Sequence, residues 1–190
     1  MNVVFSEGKN DVYFLKNIHT RVESVENYDI YLAEEADVGQ TKWLRHQYAG
    51  DQFEYLYKSE EGVSNLIKQF RSHSLMFTEF SLYILVDLDG GPLGEFLGDL
   101  NGKLTESYGN KVNVVKNSHT SNSDMYIVDA TLEIRGGSNR NLPIMAFYED
   151  LEEVTGINKG EDRKVKAQKI SKYIDNNTGI VKDICSIIHQ

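Results

Sequence analysis

The stretch VVFSEGKND, residues 3–11, decides the fold together with LYILVDLDGG, residues 82–91. In each, a short run of apolar and largely branched residues is followed by acidic side chains beside a glycine. A short apolar run of this kind predicts a strand that is buried on both faces of a sheet. Four carboxylate residues lie where these two strands are predicted to end: Glu7, Asp11, Asp87 and Asp89.

The order of the predicted elements is that of an α/β protein. Strands are predicted over residues 2–6, 28–32, 82–86 and 111–116, and helices over residues 9–21, 60–73 and 92–108. Alternation of this kind is typical of a parallel sheet flanked by helices, in which neighbouring strands end at one edge. The four carboxylates would then lie close together, and like charges at short range need a counter-ion. Because carboxylate oxygens suit Mg²⁺ or Mn²⁺, a divalent metal site is expected at this edge.

These two stretches resemble a known family. EGKND, residues 7–11, is similar to the E-G-x-x-D form of the first TOPRIM motif, and DLD, residues 87–89, is similar to its DxD motif. TOPRIM is a metal-binding catalytic domain of topoisomerases, primases, small ribonucleases and OLD-family nucleases, and the surrounding residues look most like OLD-type and related defence nucleases. The resemblance implies a Rossmann-like TOPRIM core over residues 1–120. A mainly helical C-terminal extension, residues 121–190, would contain one strand plus helices packed on that core.

The resemblance implies metal-dependent cleavage of a phosphodiester bond in DNA or RNA. Asp11, Asp87 and Asp89 would hold Mg²⁺ or Mn²⁺, and Glu7 would share the metal or handle a proton. A metal ion neutralises charge in the transition state of this reaction, and two ions could clamp the attacking and leaving oxygens. The alternative is a non-catalytic TOPRIM-like interaction or regulatory subunit of a nucleoprotein complex.

Further candidates lie after the DxD strand. Residues 144–155, IMAFYEDLEEVT, are predicted to form a short helix with Glu149 and Glu152 one turn apart. OLD-type nucleases carry additional acids that help to hold a second metal, which implies this role for the two glutamates. A solvated acidic face is the alternative.

Three basic or polar segments contain further candidates. OLD-type nucleases use a late lysine to stabilise charge at the scissile phosphate, which implies Lys166, with Lys164 as second choice. A solvated lysine face is the alternative. Residues 117–124 are predicted to form a polar loop from which His119 could face the metal, or lie at the surface. Residues 135–141 form a basic, glycine-containing loop that could meet a phosphate backbone.

Composition bounds the class of protein and its partners. The formal net charge of −9 over 190 residues is unlike that of a passive nucleic-acid binder. It suits an enzyme that recruits metal before phosphate, or a subunit whose basic surface comes from a partner. The single Cys185 excludes an internal disulfide and a cysteine zinc cluster. Without a signal peptide or an apolar run near about eighteen residues, a cytoplasmic location without membrane contact is expected.

The sequence contains no Walker A motif. OLD proteins usually join an ATPase to their TOPRIM domain, so the resemblance implies a separate ATPase subunit as partner, and a homo-oligomer is left open. The acidic surface and the aromatic series between Trp43 and Tyr57 are candidates for the docking face. That aromatic series could also stack on bases or belong to the core.

Overall fold

An eight-stranded sheet forms the centre of the structure, a computed structural model that describes residues 2–22, 28–33, 54–75 and 80–188. The strands are β1 (Asn2–Ser6), β2 (Tyr28–Leu32), β3 (Tyr55–Ser59), β4 (Ser81–Asp87), β5 (Val112–Ser121), β6 (Met125–Ile134), β7 (Arg140–Asn141) and β8 (Ile144–Phe147). Their order across the sheet is β2-β3-β1-β4-β8-β6-β5, and β7 pairs with β6.

The sheet is mostly parallel but mixed. Strands β2, β3, β1, β4 and β8 pair in parallel, whereas β6 is antiparallel to β5, β7 and β8. The fold is therefore α/β and consistent with a Rossmann-like arrangement. The expectation of a wholly parallel sheet is wrong at β6.

Helices cover both faces of the sheet. They are α1 (Lys9–Val22), α2 (Val63–Ser74), α3 (Leu93–Tyr108), α4 (Leu151–Thr155), α5 (Arg163–Asn176) and α6 (Thr178–Ile188). Helices α2 and α3 share one apolar core with the sheet, and α1, α4, α5 and α6 share the other. No helix among the described residues is long and apolar enough to cross a membrane.

Both faces of β1 and β4 are buried, which explains their unbroken apolar sequence. Successive side chains of a strand point to opposite faces. Val3 and Phe5 accordingly enter the core beneath α2 and α3, and Val4 enters the core beneath α1. The predicted strand over residues 2–6 is confirmed. The apolar stripe of α1 is confirmed at Val12 and Ile18, which are 0% and 2% exposed.

Two predicted elements after residue 116 are wrong. Strand β5 continues to Ser121, so most of the predicted polar loop over residues 117–124 pairs with β6. The predicted helix over residues 144–155 is strand β8 followed by the short helix α4. Periodicity does not separate a four-residue apolar run in a helix from a buried strand. The run IMAF, residues 144–147, is a strand because it pairs with β4 and β6.

The sheet runs across the predicted division at residue 120. Strand β8 pairs with β4, and β6 pairs with β5, so strands from both predicted segments share one sheet. The segment after residue 120 contributes β6, β7 and β8 as well as three helices, where a single strand was expected. Its helices α5 and α6 pack on α1.

The aromatic series between Trp43 and Tyr57 is described only in part. Tyr55 and Tyr57 are 7% and 1% exposed, so the core interpretation is confirmed for these two. Trp43, Tyr48 and the other members before residue 54 lie outside the described residues.

Candidate metal centre

Glu7 follows β1, which lies between β3 and β4 in the sheet. The carbonyl oxygen of Glu7 accepts a 2.9 Å hydrogen bond from the backbone N–H of Gly62, which fixes Glu7 against the loop after β3. Its Oε2 atom is buried and has no hydrogen-bond partner. Burial, helped by the charges of Asp89 and Glu152, raises the pKa of Glu7 from 4.5 to about 7 against opposing backbone hydrogen bonds.

Asp11 lies in the first turn of α1 and is 2% exposed. Its Oδ2 atom accepts a 2.8 Å hydrogen bond from the backbone N–H of Gly8, so the carboxylate folds back towards the end of β1. Burial is the largest cause that raises the pKa of Asp11, and the charges of Glu152 and Glu7 raise it further. This carboxyl group therefore favours its neutral form unless a positive charge is close.

Asp87 is the last residue of β4, between β1 and β8. Its Oδ2 atom accepts a 3.3 Å hydrogen bond from the backbone N–H of Leu151, whereas its Oδ1 atom is buried without a partner. Burial raises the pKa of Asp87, followed by the charges of Asp11, Glu7 and Glu152. The structure thus brings Glu7, Asp11 and Asp87 into one electrostatic cluster.

Asp89 lies in a tight turn at the rim of this cluster. Its φ of 48° and the φ of 73° at Gly90 are both left-handed, a conformation that aspartate tolerates better than most residues. Its side chain is exposed, and its charge acts on Glu7. Glu149 is exposed and lies beside the same turn. Its Oε2 atom is 3.5 Å from the position that a Cβ atom on Gly90 would occupy.

Glu152 joins the cluster from α4. It is half-buried, and its Oε1 atom accepts a 2.5 Å hydrogen bond from the side-chain amide of Asn10 in α1. Its negative charge raises the pKa values of Glu7, Asp11 and Asp87. Because IMAF forms β8 rather than a helix, the acidic segment that follows it begins next to Asp87 at the carboxyl edge.

The cluster consists of carboxyl groups, whose oxygens are the ligands that hard divalent cations prefer. A buried carboxylate oxygen without a partner is costly unless a proton or a cation compensates it, and both Glu7 and Asp87 have one. Among the segments that the structure describes, no three Asp, Glu, His or Cys side chains already surround a common point as metal ligands. The two features that would suit a cation are therefore the unpartnered buried oxygens of Glu7 and Asp87 and the all-carboxylate composition of the cluster.

The other predicted residues lie outside the carboxylate cluster. Lys166 is half-buried in α5 and lines a cavity between α1 and α5. His119 is exposed on the edge strand β5, separated from β4 by β8 and β6, and its ring contacts that of Tyr126 at 5.4 Å. Arg140, in the predicted basic loop, donates a 2.7 Å hydrogen bond to the carbonyl oxygen of Ser74, so it supports the fold.

Sequence reasoning missed a buried ion pair beside Glu7. Lys58 and Glu60 are 2% and 3% exposed and form a salt bridge. The Lys58 Nζ atom lies 4.8 Å from the ring centroid of Tyr31 and 5.2 Å from that of Phe5. KSEEG, residues 58–62, repeats the pattern of an acid beside a glycine after an apolar run, and this signal could have revealed the site.

Comparison with models of known protein families finds none that matches this chain, and comparison with curated proteins finds no match. The structure defines an α/β protein with a buried carboxylate cluster at the carboxyl ends of neighbouring parallel strands.

Proposed function

We propose that this protein is a metal-dependent nuclease of the TOPRIM type that hydrolyses phosphodiester bonds of DNA or RNA. The observation that carries the proposal is the pair of buried, unpartnered carboxylate oxygens of Glu7 and Asp87. A structural role would be served at lower cost by neutral side chains, because buried like charges destabilise the fold. Perturbed carboxylates that cluster at the carboxyl edge of an α/β sheet are the pattern of a functional site.

Asp11 and Asp87 would hold Mg²⁺ or Mn²⁺, with Glu7 as a third ligand or as a base. Asp89, Glu149 and Glu152 lie around them and would complete the acidic shell. The metal, when bound, supplies positive charge that polarises a phosphate oxygen and acidifies water. Asn10 orients Glu152 through its side-chain amide, and the backbone N–H groups of Gly8 and Leu151 orient Asp11 and Asp87.

Glu7 is the proposed base. A pKa of about 7 allows a carboxylate to take a proton from water and still release it near neutral pH. Lys166 lines a cavity that Asn10 also lines, outside the carboxylate cluster, and its positive charge would act on the substrate strand near the scissile phosphate. In the proposed setting the protein is the effector of a defence system and works with a separate ATPase subunit.

The test is incubation of the purified chain with plasmid DNA and with total RNA, with and without Mn²⁺. We expect Mn²⁺-dependent cleavage of at least one substrate and its loss in Asp87→Asn. The matched control is Asp99→Asn, which makes the same change at an exposed position of α3 and should cleave like wild type. Cleavage that persists in Asp87→Asn would reject the proposal.

The net charge of −9 favours one other function, a non-catalytic interaction subunit that docks on a basic partner. In that case no substrate is cut, and Glu7→Gln leaves biological activity intact. A cell-based toxicity or protection assay of Glu7→Gln separates the two functions.

A further inference from the structure

A basic cavity of about 350 Å³ lies between α1 and α5. Four cationic side chains line it, two from each helix: Lys9, Lys16, Arg163 and Lys166. This concentration of positive charge contrasts with the net charge of −9 of the whole chain. The only acidic lining residue in the described part of the chain, Glu161, pairs with Lys169, which offsets its charge.

The cavity combines cations with an aromatic wall. The guanidinium of Arg163 lies 4.9 Å from the ring centroid of Tyr13, and the Nζ atom of Lys9 lies 6.0 Å from the same centroid. Arg163 and Lys166 are three residues apart, so they lie on one face of α5. The arrangement suits a phosphate that carries a flat or apolar group, as a nucleotide does.

The cavity adjoins the carboxylate cluster. Asn10 lines it and also donates a hydrogen bond to Glu152, whose charge acts on Glu7, Asp11 and Asp87. Asp11, the next residue of α1, belongs to the cluster itself. A strand of nucleic acid that reaches the carboxylates along this side would therefore pass over the cavity.

We infer that this cavity binds a phosphate group of the substrate strand that is not itself cleaved, next to the phosphate held at the carboxylate cluster. The inference rests on the proposed nuclease function and deepens it. An acidic centre repels a polyanion, so affinity for the strand must come from cations outside the centre. Contacts with non-reacting parts of a substrate also position the reacting bond.

The test compares two double variants that remove the same charge. Lys16→Gln with Arg163→Gln removes one cation from each wall of the cavity. The matched control is Lys172→Gln with Lys182→Gln, at exposed positions of α5 and α6 away from the cavity lining. Fluorescence anisotropy of a short labelled single-stranded oligonucleotide, as DNA and as RNA, is measured in EDTA over a series of salt concentrations. Thermal melting checks that both proteins are folded.

We expect the cavity variant to bind about tenfold more weakly, and we expect the slope of log K against log salt to become shallower by about 0.7 for each lost phosphate contact. The control should keep the wild-type slope. Arg163→Lys, which preserves the charge, should also keep the slope. Equal affinity and slope in the cavity and control variants would overturn the inference.

Two further measurements distinguish a free nucleotide from a nucleic-acid strand as the ligand, and binding from cleavage. Calorimetry with AMP tests whether the phosphate comes from a free nucleotide. If AMP binding depends on Lys16 and Arg163 while oligonucleotide binding does not, the strand assignment is overturned. Cleavage with Mn²⁺ is measured in parallel. Wild-type protein that binds through the cavity but never cleaves contradicts the nuclease proposal, whereas cleavage that is unaffected in the cavity variant contradicts this inference alone.

Discussion

The side-chain amide of Asn10 donates a hydrogen bond to the carboxylate of Glu152, although the two residues are 142 positions apart in the chain. This contact joins the first turn of α1 to α4 and places a fourth carboxyl group near Glu7, Asp11 and Asp87. Glu152 is therefore part of the carboxylate cluster, and its contribution can be measured.

Glu152→Gln should weaken Mn²⁺ binding about tenfold, because residues that surround metal ligands typically change affinity by about 10–100-fold. The measurement is isothermal titration with Mn²⁺ at neutral pH. Glu153→Gln makes the same change at the next, exposed residue of the same helix and should bind Mn²⁺ like wild type. Equal losses in both variants would point to general surface charge as the cause.

Without metal, the protein should become less stable as pH rises. Glu7 has a pKa of 4.5 in the unfolded chain and about 7 in the folded one, so the folded state holds a proton that the unfolded state has lost. The free energy of unfolding therefore falls between these two pH values. The raised pKa values of Asp11 and Asp87 extend the fall to higher pH.

Asp87→Asn should reduce the fall in the free energy of unfolding that accompanies rising pH. Above pH 7 in EDTA, we expect the variant to be more stable than wild type by about 1–3 kcal/mol, and the difference should vanish near about pH 4. Urea unfolding over a pH series measures both quantities. Asp99→Asn should follow the wild-type curve. A variant that is less stable than wild type at every pH would show that Asp87 supports the fold.

Binding of Mn²⁺ should restore the stability that the metal-free protein loses as pH rises, and it should release protons. A ligand that binds only the folded state stabilises it by about 2.7 kcal/mol at one hundred times its Kd, which raises the melting temperature. Because Asp11 and Asp87 favour their neutral forms at neutral pH, metal binding should displace about one proton or more per ion. Calorimetry in buffers of different ionisation enthalpy measures the number of protons released. Asp87→Asn should show neither effect.

Glu7→Gln should lower nuclease activity by about 10²–10⁴-fold, the range typical of lost general acid–base help. Glutamine keeps the shape of the side chain but cannot accept the proton. Initial cleavage rates with Mn²⁺ are compared at several pH values, with melting as a check on folding. A Glu7→Gln protein as active as wild type would defeat the proposed role of Glu7.

Lys58→Met should destabilise the protein by about 3–5 kcal/mol, because it removes the cation of a buried salt bridge with Glu60. The double change Lys58→Met with Glu60→Gln should recover most of this loss. Urea unfolding at neutral pH provides the comparison. If the double variant is no more stable than Lys58→Met, the loss does not come from the uncompensated charge of Glu60.

Local signals in the sequence determined several elements and their acidic ends. The apolar run ending at Glu7 predicted β1, and the stripe with a spacing of three and four residues predicted α1, because both patterns are encoded within a few neighbouring positions. The expectation that Glu7, Asp11 and Asp87 lie close together also followed, since parallel neighbouring strands end at one edge.

Only the tertiary structure decided the rest of the site. IMAF became β8 through pairing with β4 and β6, and this pairing placed Glu152 beside Asp87. The burial of Lys58 against Glu60 and the cavity between α1 and α5 likewise depend on residues that meet from distant parts of the chain. Local periodicity carries no information about which elements become neighbours, because pairing and packing are settled by contacts across the whole fold.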